Sequence, residues 1–288
     1  MRGNISSYKF KSGLLLEFEI LSVKDLYKKH KDILTVPHRA DFYHILWIHK
    51  GGGSHLIDFQ PVKFKTDSIL FINKGNVHFF DASEEFEGTL ILFTDNFFCR
   101  SEADIKFLHS TILFHDLLDK SPLKLGESKS LLYEVLRLMK NELLAKEEEF
   151  RHDLLQNLLH NFLILSDREK RRQGFTEIAK GADLDYVLLF NELLDKHFVT
   201  IKSVKEYADK IHISEKRLTK ATSHVLGKSP KEIINNRVLL EAKRLLVHTN
   251  QSIKEIGFQL GFAEPTNFIK YFKLQAGSTP SEFRESHL

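Results

Sequence analysis

Ser252–Arg284 reads SIKEIGFQLGFAEPTNFIKYFKLQAGSTPSEFR, and the rest of the chain is organised around it. Ile253, Ile256, Gly257 and Leu260 recur three or four apart, as the buried face of a short helix requires, and Gly261 supplies a left-handed stop. Pro265 suits the first position of a second helix, where its missing N–H would have had no partner. Phe268, Phe272 and Ala276 then mark that helix's inner face. Two short helices across a tight glycine-containing turn form a helix-turn-helix. The outward face of the second carries Thr266, Asn267, Lys270 and Lys273, types that reach base edges and phosphates from a major groove.

The spelling narrows this reading. Gly257-Phe258, then Phe268-x-x-x-Phe272-Lys273, then Gly277-x-Thr279-Pro280-x-x-Phe283-Arg284 resembles the C-terminal signature of the AraC/XylS family of bacterial transcription regulators. The resemblance covers roughly Leu184 to Arg284. It implies two helix-turn-helix units joined by one long helix.

Upstream, SVKEYADKIHISEKRLTKATSHVLGKSP reads as the first unit. Ser203 with Glu206 three residues on predicts a capping box, and Ser214 predicts the start of a recognition helix closed by Gly227. Its outward positions are Lys216, Arg217, Thr219, Lys220 and Ser223. The family's usual Phe after the basic residue is replaced by Ala221-Thr222. PKEIINNRVLLEAKRLLVHT follows, and its Arg237–Leu246 segment resembles the family's linker helix. Ser214 and Glu264 stand fifty residues apart, the spacing the resemblance implies, so that both heads would meet successive major-groove faces. It then implies DNA contacts from Lys216, Arg217, Thr219, Lys220, Pro265, Thr266, Asn267, Lys270 and Lys273. Pro265 stands where a polar residue is usual.

Composition sets the frame. At 288 residues, 42% hydrophobic and 28% charged, the chain has room for two domains of ordinary globular type. It contains no apolar run of membrane-spanning length, and MRGNISSYKF lacks a signal peptide's apolar core, so the expected compartment is cytoplasmic. A lone Cys99 offers neither an internal disulfide nor a thiolate metal site. The net charge of +3 divides unevenly: sixteen Lys and Arg face twelve Asp and Glu from Leu184 on, whereas the first 183 residues hold 26 and 27. The basic excess lies with the helix-turn-helix half.

The first hundred residues read as strands: LLLEFEILS, YHILWIHK, SHLIDFQ, SILFIN, VHFF and GTLILFT, separated by turn residues, with GGGS after Lys50 as the clearest hairpin turn. Strand order, this turn and the G-x-x-H of Gly75–His78 resemble the cupin barrel at the N-terminus of many members of the same family. His38, His44, His55 and His78 invite a metal reading. However, the metal-binding cupin pattern needs H-x-H on one strand and a following Glu, and neither is present; the histidines then serve a pocket wall or the core. The resemblance instead implies an organic effector touched by His38, His78, Phe80 and Thr89, with His44 beside them. Phe80, grouped with Phe71 and Trp47, favours an apolar or aromatic effector over a bare sugar.

From Glu127 the period changes to helical. Leu131, Leu132, Val135, Leu138, Met139 and Leu143 form one stripe. Phe150, Leu154, Leu155, Leu158, Leu159, Phe162 and Leu165 form another. The resemblance makes this pair the dimer interface, and burial in the chain's own core is the equal alternative. DREKRRQG ends the pair as a solvated linker.

The expected architecture is a two-domain α+β chain. Residues 1–100 form a cupin-like ligand-sensing barrel, 101–172 a helical dimerisation or packing segment, 173–183 a linker, and 184–288 an all-α DNA-binding domain. The expected function is a sequence-specific, effector-modulated transcription regulator without enzymatic activity, metal or cofactor. Its expected partners are double-stranded DNA, a small-molecule effector, a second copy of the chain and RNA polymerase, with no membrane. The competing expectation is a metal-dependent cupin enzyme with a helical partner-binding domain.

Overall fold

The computed structural model describes residues 6–10, 16–80, 86–114, 121–146, 148–173 and 182–287. The chain divides into two compact units, Ser6–Glu177 and Ile178–Leu288. Among the described residues, no helix is long and apolar enough to cross a membrane.

The first unit is built on β1 (Ser6–Tyr8), β2 (Phe18–Ser22), β3 (His38–Ala40), β4 (Tyr43–Ile57), β5 (Gln60–Lys65), β6 (Ser68–Ile72), β7 (Val77–Phe80), β8 (Phe86–Phe93) and β9 (Leu123–Lys124). It also holds α1 (Val23–Leu34), α2 (Asp95–Phe98), α3 (Glu102–Ser110), α4 (Lys129–Leu144) and α5 (Arg151–Arg172). The long strand β4 belongs to two sheets. Its Tyr43–Ile48 half pairs with β6 and β8, and its Gly52–Ile57 half pairs with β5, with His55–Ile57 also meeting β7.

This corrects the expected hairpin at GGGS. Gly51–Ser54 lie inside β4, where it crosses from one sheet to the other, and Gly51 adopts φ 84°, a left-handed bend that a side chain would strain. The reversal comes later, at Asp58 and Phe59, both with positive φ, inside the stretch SHLIDFQ that reads as a strand. The first hundred residues are also not all strand. Ser22 caps α1 by accepting from the Asp25 N–H, and Val23, Leu26, Tyr27 and Leu34 turn that helix's apolar side onto the barrel interior.

Strand alternation separates two apolar layers. Phe42, Leu46, Ile48, Leu90 and Leu92 point into the barrel with Ile57, Phe64 and Phe80. Tyr43, Ile45, Trp47, Ile91 and Phe93 point the other way, against Leu132, Leu136 and Met139 of α4 and Leu155, Leu159 and Phe162 of α5. The two leucine stripes are thus partly spent on the chain's own core. Leu131, Leu138, Leu154 and Ile164 remain exposed.

The second unit comprises α6 (Ala182–His197), α7 (Val204–Lys210), α8 (Glu215–Leu226), α9 (Pro230–His248), α10 (Ile253–Gln259), α11 (Pro265–Ala276) and α12 (Pro280–Ser286). It repeats itself along the chain. Ile213 N–H donates to the Ala208 carbonyl as Phe262 N–H does to Gly257, both at 3.0 Å, closing each first helix. His212 and Gly261 take positive φ at matching places, and Gly227 and Gly277 close α8 and α11 in the left-handed conformation. Ser229 with Glu232 and Thr279 with Glu282 then form capping boxes on α9 and α12, each with Pro at the first turn. The expected capping box on α7 is absent: Ser203 holds the N-cap position without a side-chain bond to the helix.

Candidate DNA-reading helices and barrel pocket

Each reading helix is fixed by its inner side. Leu218, Ala221 and Thr222 of α8 are buried, as are Phe268 and Phe272 of α11, the latter pair packed on Leu239, Ala242, Leu245 and Leu246 of α9. The turn before α11 and α11 itself are each clamped. Lys202 donates its ammonium to the carbonyls of Leu260 at 2.7 Å and Val199 at 2.9 Å, and the Tyr271 hydroxyl donates to the Asn235 carbonyl at 2.7 Å. At Gly257 a side chain would crowd Phe268, since an added Cβ would lie 3.2 Å from its Cβ. Close packing there sets the angle between α10 and α11.

With the inner faces fixed, Lys216, Thr219, Lys220 and Ser223 stand exposed on α8, and Thr266, Asn267, Lys270 and Lys273 on α11. Pro265 is partly buried at the first turn of α11. Arg217 departs from the expected set. Its guanidinium forms an ion pair with Asp183 and lies 4.8 Å over the Tyr186 ring. The same carboxylate takes His224 at 2.8 Å, and these bonds from His224 and Arg217 hold the Asp183 carboxyl below its usual range. Arg217 therefore braces α8 against α6. Ser214 and Glu264 are the N-caps of the two helices. The nineteen-residue α9 between the two helix-turn-helix pairs spans about 28 Å.

The barrel gathers four histidines. Register places His38 of β3 beside His78 of β7, and the pairing of β4 with β7 sets His55 diagonally across from His78. His44 approaches from the first half of β4. Ring centroids lie 4.5 Å (His38), 4.7 Å (His44) and 5.1 Å (His55) from that of His78. All four are buried. His38 Nδ1 bonds the Val36 carbonyl at 2.9 Å, so that nitrogen carries the proton. His55 Nε2 and His78 Nδ1 are 3.0 Å apart and share one hydrogen bond. Among the described residues, His55 Nδ1 and His78 Nε2 have no hydrogen-bond partner, whereas His44 is turned to the Phe42 backbone two residues back. Burial is the main force lowering the pKa of every member, taking His44 to about 3, and the neighbouring imidazoles push those of His44, His55 and His78 further down. The cluster is a set of neutral imidazoles with unspent hydrogen-bonding capacity, walled by Phe42 at 4.9 Å from His44 and Phe80 at 4.3 Å from His55. Among the described residues no group of three His, Cys, Asp or Glu is arranged to hold a metal ion.

Two expectations about this pocket are corrected. Phe71 and Trp47 do not join Phe80: both belong to the layer facing the helices, because strand alternation sends them to the other side of the sheet. Thr89 is likewise outside the barrel. It precedes the inward Leu90 on β8 and bonds His49 Nε2 at 2.8 Å and Lys140 Nζ at 3.2 Å on the outer face. His55, read from the sequence as a pocket-wall or core histidine, completes the inner cluster, and the residues that sequence reasoning left without a role are His49, Tyr133 and Lys140, which complete the outer one. Tyr133 and Lys140 share a face of α4 by their spacing of seven, the signal that could have paired them.

Comparison with known proteins assigns both units. An AraC-like ligand binding domain matches residues 26–160, and a helix-turn-helix domain matches residues 207–286. The HTH-type transcriptional activator RhaS of Enterobacter sp. (strain 638) is 24% identical over 252 residues, spanning 86% of this chain and 87% of its own length. RhaS of Escherichia fergusonii is 24% identical over 256 residues with the same coverage. Among solved structures, ToxT from Vibrio cholerae O395 matches 93% of this chain and 97% of its own, at 15% identity and a TM-score of 0.44. The DNA-binding domain of AdpA in complex with a target DNA matches 35% of this chain and 91% of its own, at 22% identity and a TM-score of 0.33.

Proposed function

The chain belongs to the AraC family of DNA-binding transcription regulators, with a ligand-binding and a helix-turn-helix domain, and from that premise we propose how its residues divide the work. Sequence choice falls to Lys216, Thr219 and Lys220 on α8 and to Thr266, Asn267 and Lys270 on α11. Pro265 contributes shape at the tip of α11, and Lys273 contributes phosphate contact. Arg217 is a brace in the unbound protein. The observation that carries this division is the pair of outward polar helix faces on a repeated, well-packed frame, with N-caps fifty residues apart. Phosphate contacts such as that of Lys273 supply most of the affinity, and the six base-facing side chains supply discrimination. Selecting bound sites from genomic DNA, then repeating the selection with Lys270→Ala, tests it. Loss of preference at one base position is expected; uniform weakening across all sequences would make Lys270 a phosphate contact.

The effector site lies among His38, His44, His55, His78 and Phe80. Two unpartnered imidazole nitrogens, His55 Nδ1 and His78 Nε2, in an apolar surround favour a ligand with a polar group to pair them and an aromatic or aliphatic body to lie against Phe42 and Phe80. Such a ligand acts by binding two conformations of the regulator unequally. Thr89 has no part in this site. The exposed Leu131, Leu138, Leu154 and Ile164 of α4 and α5 suit the interface of a homodimer, tested by sedimentation of the full chain with and without Leu131→Glu/Leu138→Glu. The protein works in the cytoplasm, without enzymatic activity.

A further inference from the structure

The outer face of the barrel carries a cleft of about 430 Å³ between the edge formed by β2 and β8 and the end of α4. Its apolar wall is Ile20, Leu143 and Leu144, and its polar floor is His49, Thr89 and Lys140. The floor is a chain of hydrogen bonds. Lys140 Nζ donates to Thr89 Oγ1 at 3.2 Å, Thr89 Oγ1 meets His49 Nε2 at 2.8 Å, and His49 Nδ1 meets the Tyr133 hydroxyl at 3.1 Å. The rim carboxylate Glu87 is held by Lys24 at 3.0 Å. Lys140 pairs with no carboxylate among the described residues, and of its three ammonium donors one is committed to Thr89. Loss of hydration against the sheet lowers its pKa, with no anion offsetting that loss. A cation with spare donors beside a wall of leucine and isoleucine has the chemistry to take an anion attached to a hydrocarbon.

We propose that this cleft is a second ligand site, separate from the barrel interior, for a small organic acid whose carboxylate pairs with Lys140 and whose apolar body lies on Ile20, Leu143 and Leu144. The carboxylate supplies Lys140 with the acceptor it lacks, and the body covers Leu144, which is 86% exposed. Because Tyr133, Lys140 and Leu144 sit on α4, an occupant there bears on the helix whose other exposed leucines are proposed for dimerisation.

Trp47 is the chain's single tryptophan, and its ring lies 4.5 Å from Tyr133 and 5.3 Å from His49, so its fluorescence reports on the floor of the cleft. The full chain is titrated with hexanoate and, in parallel, with neutral hexanamide of the same shape. Saturable change with hexanoate, with hexanamide weaker by about tenfold or more, is expected. Lys140→Met should bring hexanoate down to the amide's level, whereas Lys140→Arg should retain most of the binding. Three outcomes overturn the assignment: no saturable change, equal response to acid and amide, or hexanoate binding unmoved by Lys140→Met. A matching loss from His78→Phe, on the opposite face of the sheet, would place the ligand in the barrel and overturn it as well.

Discussion

Acidifying the protein should destabilise its first unit through the histidine cluster, with a proton count that can be read directly. His44, His55 and His78 are fully buried and held neutral, with pKa values pushed below the ordinary 6.5 chiefly by burial and, for His44, down to about 3. In the unfolded chain each regains its ordinary value. Between 6.5 and the folded values, the unfolded state therefore binds more protons. The cluster's contribution is intact above pH 6.5 and is lost as the pH falls. One pH unit below the ordinary value, a histidine kept neutral by the fold costs on the order of 1 kcal/mol, and three such groups together several kcal/mol. His38, less deeply buried, adds in the same direction. Since ordinary domains have only about 5–15 kcal/mol in total, this is a substantial share of the unit's stability, lost by about pH 5.5.

Urea titrations from about pH 7.5 to about pH 5.5, followed by Trp47 fluorescence, isolate this unit because the second contains no tryptophan. The slope of unfolding free energy against pH should approach about three protons in the lower half of that range. His44→Phe, which keeps ring volume beside Phe42, should lower the slope by about one proton while leaving the transition cooperative. A wild-type slope under about one proton, or an identical slope in His44→Phe, would refute neutral burial of the cluster.

In the second unit, Gly261 and Gly227 both hold positive φ, but an added Cβ at Gly261 would come 2.1 Å from the Val199 carbonyl oxygen, while at Gly227 nothing lies within 4 Å. Gly227→Ala should cost about 1 kcal/mol and Gly261→Ala clearly more, on the order of 3 kcal/mol, by thermal melts followed at 222 nm; equal costs would mean the turn yields. Lys270→Ala should lose about 1–3 kcal/mol on the selected site, measured by fluorescence anisotropy. Arg217→Ala should instead lower stability with unchanged base preference, and a changed preference would return Arg217 to the reading set. His78→Ala and Phe80→Ala should abolish the effector's influence on DNA affinity while leaving ligand-free binding intact, and weakened ligand-free binding would reduce them to core packing.

The helix-turn-helix pair was legible because its signals are local. A cap such as Ser214, a left-handed stop such as Gly261 or Gly227, and a proline at a first turn each determine backbone conformation within a few residues. The spacing of buried positions on α11 then follows from helical period alone. The same kind of signal marked α1, with Ser22 and Asp25 at its cap and Val23, Leu26 and Tyr27 at helical spacing, but strand-forming neighbours on either side obscured it. Arg217 illustrates what local pattern leaves open. Its position on α8 is outward by period, and only the tertiary placement of Asp183 and Tyr186 on α6 draws its head inward.

In the barrel the limiting quantity was parity. A strand's side chains alternate, so one extra residue reverses which face every later side chain meets. On β4, Tyr43, Ile45 and Trp47 face the helices, yet His55 and Ile57, also odd-numbered, face the barrel. The reversal happens where Ile48 pairs with Gly88 and Lys50 with Glu87, leaving His49 as the additional residue of a bulge, just before the glycines carry the strand into the second sheet. Reading GGGS as a hairpin conceals this, because a turn would have reset the count. That single bulge gives His49 to the outer cleft and His55 to the inner cluster, so both candidate ligand sites depend on where one strand gains one residue. Deleting His49 should therefore disrupt the outer hydrogen-bond chain and misplace His55 together, whereas His49→Ala should affect the outer chain alone.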